Sequence, residues 1–219
     1  MPEIATTPVF AAALARSRVL DRGTLTAMTS GITGLEAGYL LDRLWHSMRG
    51  EAERSKQPAL TALARVLKES GVSYAVIGGV ALQIHQRDPR TTLDIDIAVA
   101  ARKSIPRERL LAAGFRPTGD FEHSENWEGP GLVPIQFTDD PALIESIARA
   151  ETLDAGGIEI RVLRKRDLLR EKLRAGADPA RRRSKRLQDL SDAQALVEED
   201  PSLAAGLDAA QRALLDRLP

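Results

Sequence analysis

Tyr74-Ala75-Val76-Ile77-Gly78-Gly79 and, a short gap later, Thr92-Leu93-Asp94-Ile95-Asp96-Ile97 are the stretches that decide the fold. The first is an apolar run broken by two glycines, which reads as a buried strand that turns sharply. The second alternates polar and apolar residues, which predicts a strand over Thr92 to Ile97, with Ala98-Val99 extending it. Residues two apart on a strand share a face, so Asp94 and Asp96 are expected to project together, about 6.6 to 7 Å apart along the backbone. Leu93, Ile95 and Ile97 are expected to face a core. Two carboxylates side by side raise each other's pKa unless a cation neutralises them. A pair of divalent ions does so, and clamps the attacking and leaving oxygens of a phosphoryl transfer.

Working outward, Val80 to Gln86 predicts a short helix, and glycines between strand and helix let the backbone approach a phosphate at a helix start. Arg87 to Arg90 reads as a turn. A helix is expected over Ile105 to Ala113, closed by Gly114, then strands around Phe121 to Trp127 and Leu132 to Thr138, and a helix from Pro141 to Ala150. Asp154-Ala155-Gly156-Gly157 is a hairpin-like turn between two further strands. Helices are predicted over Asp167 to Ala175, Arg181 to Glu198 and Ser202 to Leu218. Ahead of all this, residues 1 to about 70 read as helical, with Leu60, Leu63 and Leu67 at helical spacing and Gly71 as a stop. The organisation expected is a helical N-terminal region (1–72), an α/β core (73–164) and a C-terminal helical region (165–219).

Composition narrows the chemistry. The 219 residues carry 31 Lys+Arg and 31 Asp+Glu, with 43% hydrophobic and 28% charged, values of an ordinary globular chain. There is no cysteine and there are three histidines, which excludes disulfides, zinc-thiolate sites and cysteine nucleophiles, and argues against a histidine-rich metal centre. No apolar run reaches the roughly 18 residues of a membrane span. Pro8 to Ala15 is apolar but lacks the preceding basic residues of a signal peptide, so a cytoplasmic protein is expected. The neutral total hides an uneven distribution. Arg161 to Arg186 holds nine Arg and three Lys against three acids, a net +9, whereas 187–219 carries −5. Such a basic stretch suits an anionic ligand, although a solvated helix face is its commoner cause.

Gly78-Gly79, then Arg90-Thr91, then Asp94-Ile95-Asp96 resembles the first motif of the DNA polymerase β-type nucleotidyltransferase superfamily. The arginine-threonine pair is similar to the AbiEii-like branch, toxins of type IV toxin–antitoxin systems. Lys172-Leu173, with Arg186, Asp189 and Asp192 at three-residue steps, resembles that branch's K-L…R-x-x-D-x-x-D pattern on two helices. The match spans roughly Ser73 to Val197. The resemblance implies an α+β nucleotidyltransferase-like core with a small mixed sheet. It implies Mg2+-dependent transfer of a nucleoside monophosphate from a nucleoside triphosphate to an acceptor, tRNA or another RNA, and a cognate antitoxin as partner. It assigns Asp94 and Asp96 to the metals and Gly78, Gly79, Arg90, Thr91 and Arg186 to the nucleotide. Lys172, Asp189 and Asp192 become further catalytic candidates, since residues three apart share a helix face.

One position departs from that pattern. The superfamily's third carboxylate belongs on a later strand, and here Val133-Pro134-Ile135-Gln136-Phe137 places Gln136 where it should stand. A glutamine can coordinate through its carbonyl oxygen but cannot act as a base. Asp139, Asp140 and Glu159 are the acids that could substitute, and a degenerate, non-catalytic nucleotide or partner binder is the rival reading. Of the remaining residues, Trp127 and Phe121 are expected in the core rather than stacked on a base, and His85 is expected to be structural or on the surface. His123 has no assigned role.

Overall fold

The computed structural model describes residues 33–50, 54–86, 90–155 and 157–216. The apolar segment Pro8 to Ala15, residues 87–89 of the expected turn and Gly156 of the hairpin lie outside them. Two helices come first. Helix α1 (Gly34–Met48) starts at a capping box, in which Thr33 Oγ1 accepts from the Glu36 amide and Glu36 accepts from the Thr33 amide. Helix α2 (Gln57–Glu69) buries Leu60, Leu63 and Leu67 on one stripe and ends before Gly71, whose φ of +62° suits glycine.

The chain then builds a seven-stranded mixed sheet. Its strands are β1 (Tyr74–Ile77), β2 (Ile95–Val99), β3 (Arg116–Phe121), β4 (Ser124–Gly129), β5 (Val133–Thr138), β6 (Glu151–Asp154) and β7 (Glu159–Val162), in the order β3-β4-β5-β2-β1-β7-β6. β1 lies antiparallel to β2 and parallel to β7, and β2 lies parallel to β5. Every residue of β1 is buried, as befits a central strand covered on both faces. β5 alternates instead, with Val133, Ile135 and Phe137 in the core and Pro134, Gln136 and Thr138 on the other face. Connecting helices are α3 (Gly78–His85), α4 (Arg107–Ala112) and α5 (Ile144–Ala148). Helices α6 (Lys165–Ala177), α7 (Arg183–Glu199) and α8 (Ala209–Leu215) follow the sheet. One continuous core includes Leu35 and Tyr39 of α1, Leu60 and Leu63 of α2, the central strands, and Leu168, Leu173 and Leu196 of α6 and α7.

Several expectations are corrected. The acidic strand begins at Ile95 rather than Thr92, because the parallel register would set Asp94 beside Pro134, which has no N–H to donate. Leu93 is therefore 44% exposed instead of facing the core. Phe121 to Trp127 is two strands, β3 and β4, joined by a tight turn. The helix expected from Pro141 to Ala150 is a 3-10 turn, Pro141–Leu143, followed by the short α5. The last helix divides because Asp208 and Gln211 form a second capping box that starts α8 afresh. Trp127 is in the core, its indole N–H donating to Glu125 at 2.9 Å, but Phe121 is 58% exposed on the edge strand. His85 is structural, its Nε2 donating to the Leu163 carbonyl at 2.6 Å.

Candidate active site

The turn between β1 and α3 is shaped by its own side chains. Gly78 has φ +63°, and a Cβ there would lie 2.1 Å from Asp96 Oδ2. A Cβ on Gly79 would lie 2.5 Å from Thr92 Oγ1. The two glycines therefore make room for the acidic strand and its approach as well as lining a large open cavity. Asp94, just ahead of β2, accepts from the Thr92 hydroxyl at 2.6 Å. Asp94 and Asp96 both line this cavity, of about 1210 Å3, together with Arg90 and Thr91. Burial pushes the Asp96 carboxyl up to about 7 and the Asp94 charge adds to the rise, while Lys172, Arg90 and Lys185 pull it down.

The C-terminal pair of helices supplies the cations. Lys172 on α6 is buried and lies 2.9 Å from Asp189 and 2.7 Å from Asp192, both on α7. Arg181 meets the other oxygen of Asp189 at 2.9 Å. Arg90 grips Asp192 with two bonds, Nε to Oδ1 at 2.7 Å and Nη2 to Oδ2 at 3.0 Å. Two carboxylates thus hold three cations in one network that ties the segment before β2 to α6 and α7. Lys172 and Asp189 line the cavity, whereas Asp192 is buried beneath it. Arg186, expected on the nucleotide, lies outside the cavity lining, and its Nε donates to the Gly176 carbonyl at 3.0 Å near the end of α6. Arg161, at the head of the basic stretch, donates within the fold to the Tyr74 and Ile147 carbonyls.

Strand register decides which residue stands beside the acidic pair. Asp96 pairs with Gln136 across β2 and β5, so a glutamine stands beside the acidic pair and lines the cavity. Glu159 is on β7 in an ion pair with Lys68 and takes no part in the site. Asp139 meets Arg102 at 3.4 Å and is not a lining residue. Asp140 does line the cavity, but it accepts from Arg174 at 2.6 Å and from the Ala142 amide at 2.9 Å. Among the described residues, no group of three or more acids or histidines converges as a ready-made metal cage. The fit to a hard divalent cation is two carboxylates and one amide, all oxygen donors, in a place where the Asp96 charge lacks full compensation.

Sequence reasoning passed over several lining residues. Glu171 accepts from Nε and Nη2 of Arg174, at 2.8 and 3.0 Å, and burial raises its pKa while Arg174 opposes the rise. Arg182 and Lys185 line the cavity with no ion-pair partner among the described residues, and His123 stands at its rim. Lys185 was readable, because it lies four residues before Asp189 and so shares its helix face.

No family model matches the chain, and no curated protein matches it. Solved structures do. JHP933 from Helicobacter pylori is similar with a TM-score of 0.50 at 16% identity, over 73% of this chain and 70% of that one. The crystal structure of an antigenic nucleotidyltransferase-like protein from Paracoccidioides brasiliensis matches with a TM-score of 0.44 at 20% identity, over 71% of this chain and 92% of that one. ANT(2")-Ia, in complex with adenylyl-2"-tobramycin, matches with a TM-score of 0.49 at 16% identity, over 74% of this chain and 99% of that one. The likeness is one of fold. The chain is a mixed α/β protein built on a seven-stranded sheet, and it shares that fold with JHP933.

Proposed function

We propose that the protein is a nucleotidyltransferase that moves a nucleoside monophosphate from a nucleoside triphosphate to an acceptor hydroxyl, releasing pyrophosphate. The observation that carries this reading is the pair Asp94 and Asp96 on the wall of a cavity also lined by Gly78, Gly79 and Lys172. Asp94 and Asp96, with the Gln136 oxygen beside them, are the residues that would hold magnesium. When bound, the ion supplies charge neutralisation at the transferring phosphoryl group. Lys172, fixed by Asp189 and Asp192, offers an ammonium group where negative charge develops in transfer. In this reading Asp189 and Asp192 orient cations and do not act on the acceptor, while Arg90 and Thr91 line the same cavity as the acidic pair.

RNA, with tRNA as the first case, is the acceptor we assign. The exposed Arg181, Arg182 and Lys185 on the cavity wall suit a phosphate backbone. The toxin-like role and a cognate antitoxin follow only from the AbiEii-like sequence pattern, and a cytoplasmic site of action is proposed alongside them. Among the described residues, no helix is long and apolar enough to cross a membrane. Gln136 at the paired position favours one second reading, a chain that binds a nucleotide without transferring it.

Label transfer separates these. The wild-type protein is given each of the four α-labelled nucleoside triphosphates with magnesium, with and without total RNA. Label on RNA supports the assignment, and label on the protein itself moves the acceptor to a side chain. Magnesium-dependent nucleotide binding with no label anywhere supports the second reading, in which case Gln136→Asp should gain transfer.

A further inference from the structure

Gln83, in the middle of α3, is a fully buried polar side chain that plays no part in the site as so far described. Its Nε2 donates to the Arg90 carbonyl at 3.0 Å. Its Oε1 is buried with no hydrogen-bond partner. The partner fixes the amide orientation, since the opposite flip would set two oxygens face to face. A half-satisfied buried amide is costly, and an apolar side chain of similar shape would be the cheaper occupant.

The neighbours of Gln83 show how closely it is held. A Cβ on Gly38 of α1 would lie 2.5 Å from the Gln83 amide group. A Cβ on Gly34 would lie 2.4 Å from the Gln83 carbonyl and 2.0 Å from that of Gln86. Glycines four apart on α1 therefore let the two helices approach until the glutamine amide has one place to go. That place is under residues 90–94, a segment without helix or strand structure that leads into β2. The segment carries Arg90, which holds Asp192, and Thr92, which holds Asp94.

We propose that Gln83 is a positioning residue: its amide anchors the backbone of residues 90–94, so that Arg90 and Asp94 keep their places at the cavity wall. α1 and α3 then belong to the working apparatus, with Gly34 and Gly38 setting the seat of the glutamine. The consequence for catalysis rests on the nucleotidyltransferase reading, but the anchoring itself does not.

The test therefore has two readouts on Gln83→Met, a change of similar length that removes the donor and the orphaned oxygen together. The first is 15N relaxation of the amides of Thr91 to Asp94. Their order parameters should fall from about 0.85 to below about 0.7 while the melting temperature holds or rises. The second is label transfer, in which kcat should fall about tenfold or more with KM for the nucleotide little changed. Unchanged order parameters in a folded variant would overturn the proposal. So would a loss of order spread evenly through α3 with a lower melting temperature, because that is the mark of a merely structural residue. Should Gln83→Met fail to fold, Gly38→Ala keeps the amide but displaces it, and the same local loss at Thr91 to Asp94 must appear or the proposal falls. A wild-type protein that transfers no label defeats the transferase reading alone and leaves the relaxation result to judge Gln83.

Discussion

Asp96 is the residue where stability and function pull apart. In the folded protein its pKa stands at about 7 against an ordinary 3.8, chiefly through burial. Between those two values the native state keeps a proton that the unfolded chain gives up, so stability falls as pH rises through that window. The cost is fully present above about pH 7, and it is at most about 4 kcal/mol for a shift of that size. Asp96→Asn removes it. In chelator, the variant's melting temperature should exceed the wild type's by several degrees near pH 8 and by little or nothing near pH 4. A gap that does not change with pH would refute the burial account. Gly78 is the complementary case. A methyl group there meets Asp96 Oδ2 and must be carried at φ +63°. Gly78→Ala should cost about 1–2 kcal/mol from the backbone alone, lowering the melting temperature by roughly 2–8 °C. An alanine variant as stable as wild type would show that the turn relaxes freely.

At the scale of elements, the N-terminal helices are pinned by one buried ion pair. Lys56, ahead of α2, donates to both oxygens of Asp42 on α1, at 2.9 and 2.8 Å, and both residues are about 2% exposed. Burial lowers the Lys56 pKa while Asp42 opposes the fall. Removing one member leaves a buried charge alone, so Lys56→Met should cost about 3–5 kcal/mol in urea unfolding. Replacing the pair together, Asp42→Leu with Lys56→Met, should recover most of that loss. Costs that simply add would contradict the buried-pair account. This pair also shows where sequence reading stops. Periodicity located α2, because Leu60, Leu63 and Leu67 must share a face whatever they pack against. Nothing local announces that Lys56 and Asp42 meet, or that Gly34 and Gly38 seat Gln83, since those contacts exist only once α1 is docked. The β2 boundary was missed for the same reason, because Pro134 ends the ladder from another strand.

For the whole molecule, the site is a meeting of three parts of the chain: the turn at Gly78-Gly79 with Asp94 and Asp96, the neighbouring strand with Gln136, and the helices bearing Lys172, Asp189 and Asp192. The motifs were legible because each is local: a strand, two glycines, acids two apart, acids three apart on a helix. Their joining was legible only through the resemblance. Roles within the network were not legible at all. Arg186 is spent on the Gly176 carbonyl, Arg90 is gripped by Asp192, and Lys185, legible only as one charge of the basic stretch, lines the cavity without an ion-pair partner among the described residues. One acidic pair remains the centre on which the account depends. The decisive measurement is label incorporation by the Asp94→Asn/Asp96→Asn double variant beside wild type, with magnesium and the best nucleotide, after both are shown to be folded. The account predicts that transfer falls about 10³-fold or more, a loss of roughly 4 kcal/mol of transition-state stabilisation. A folded double variant that transfers label at the wild-type rate would contradict it.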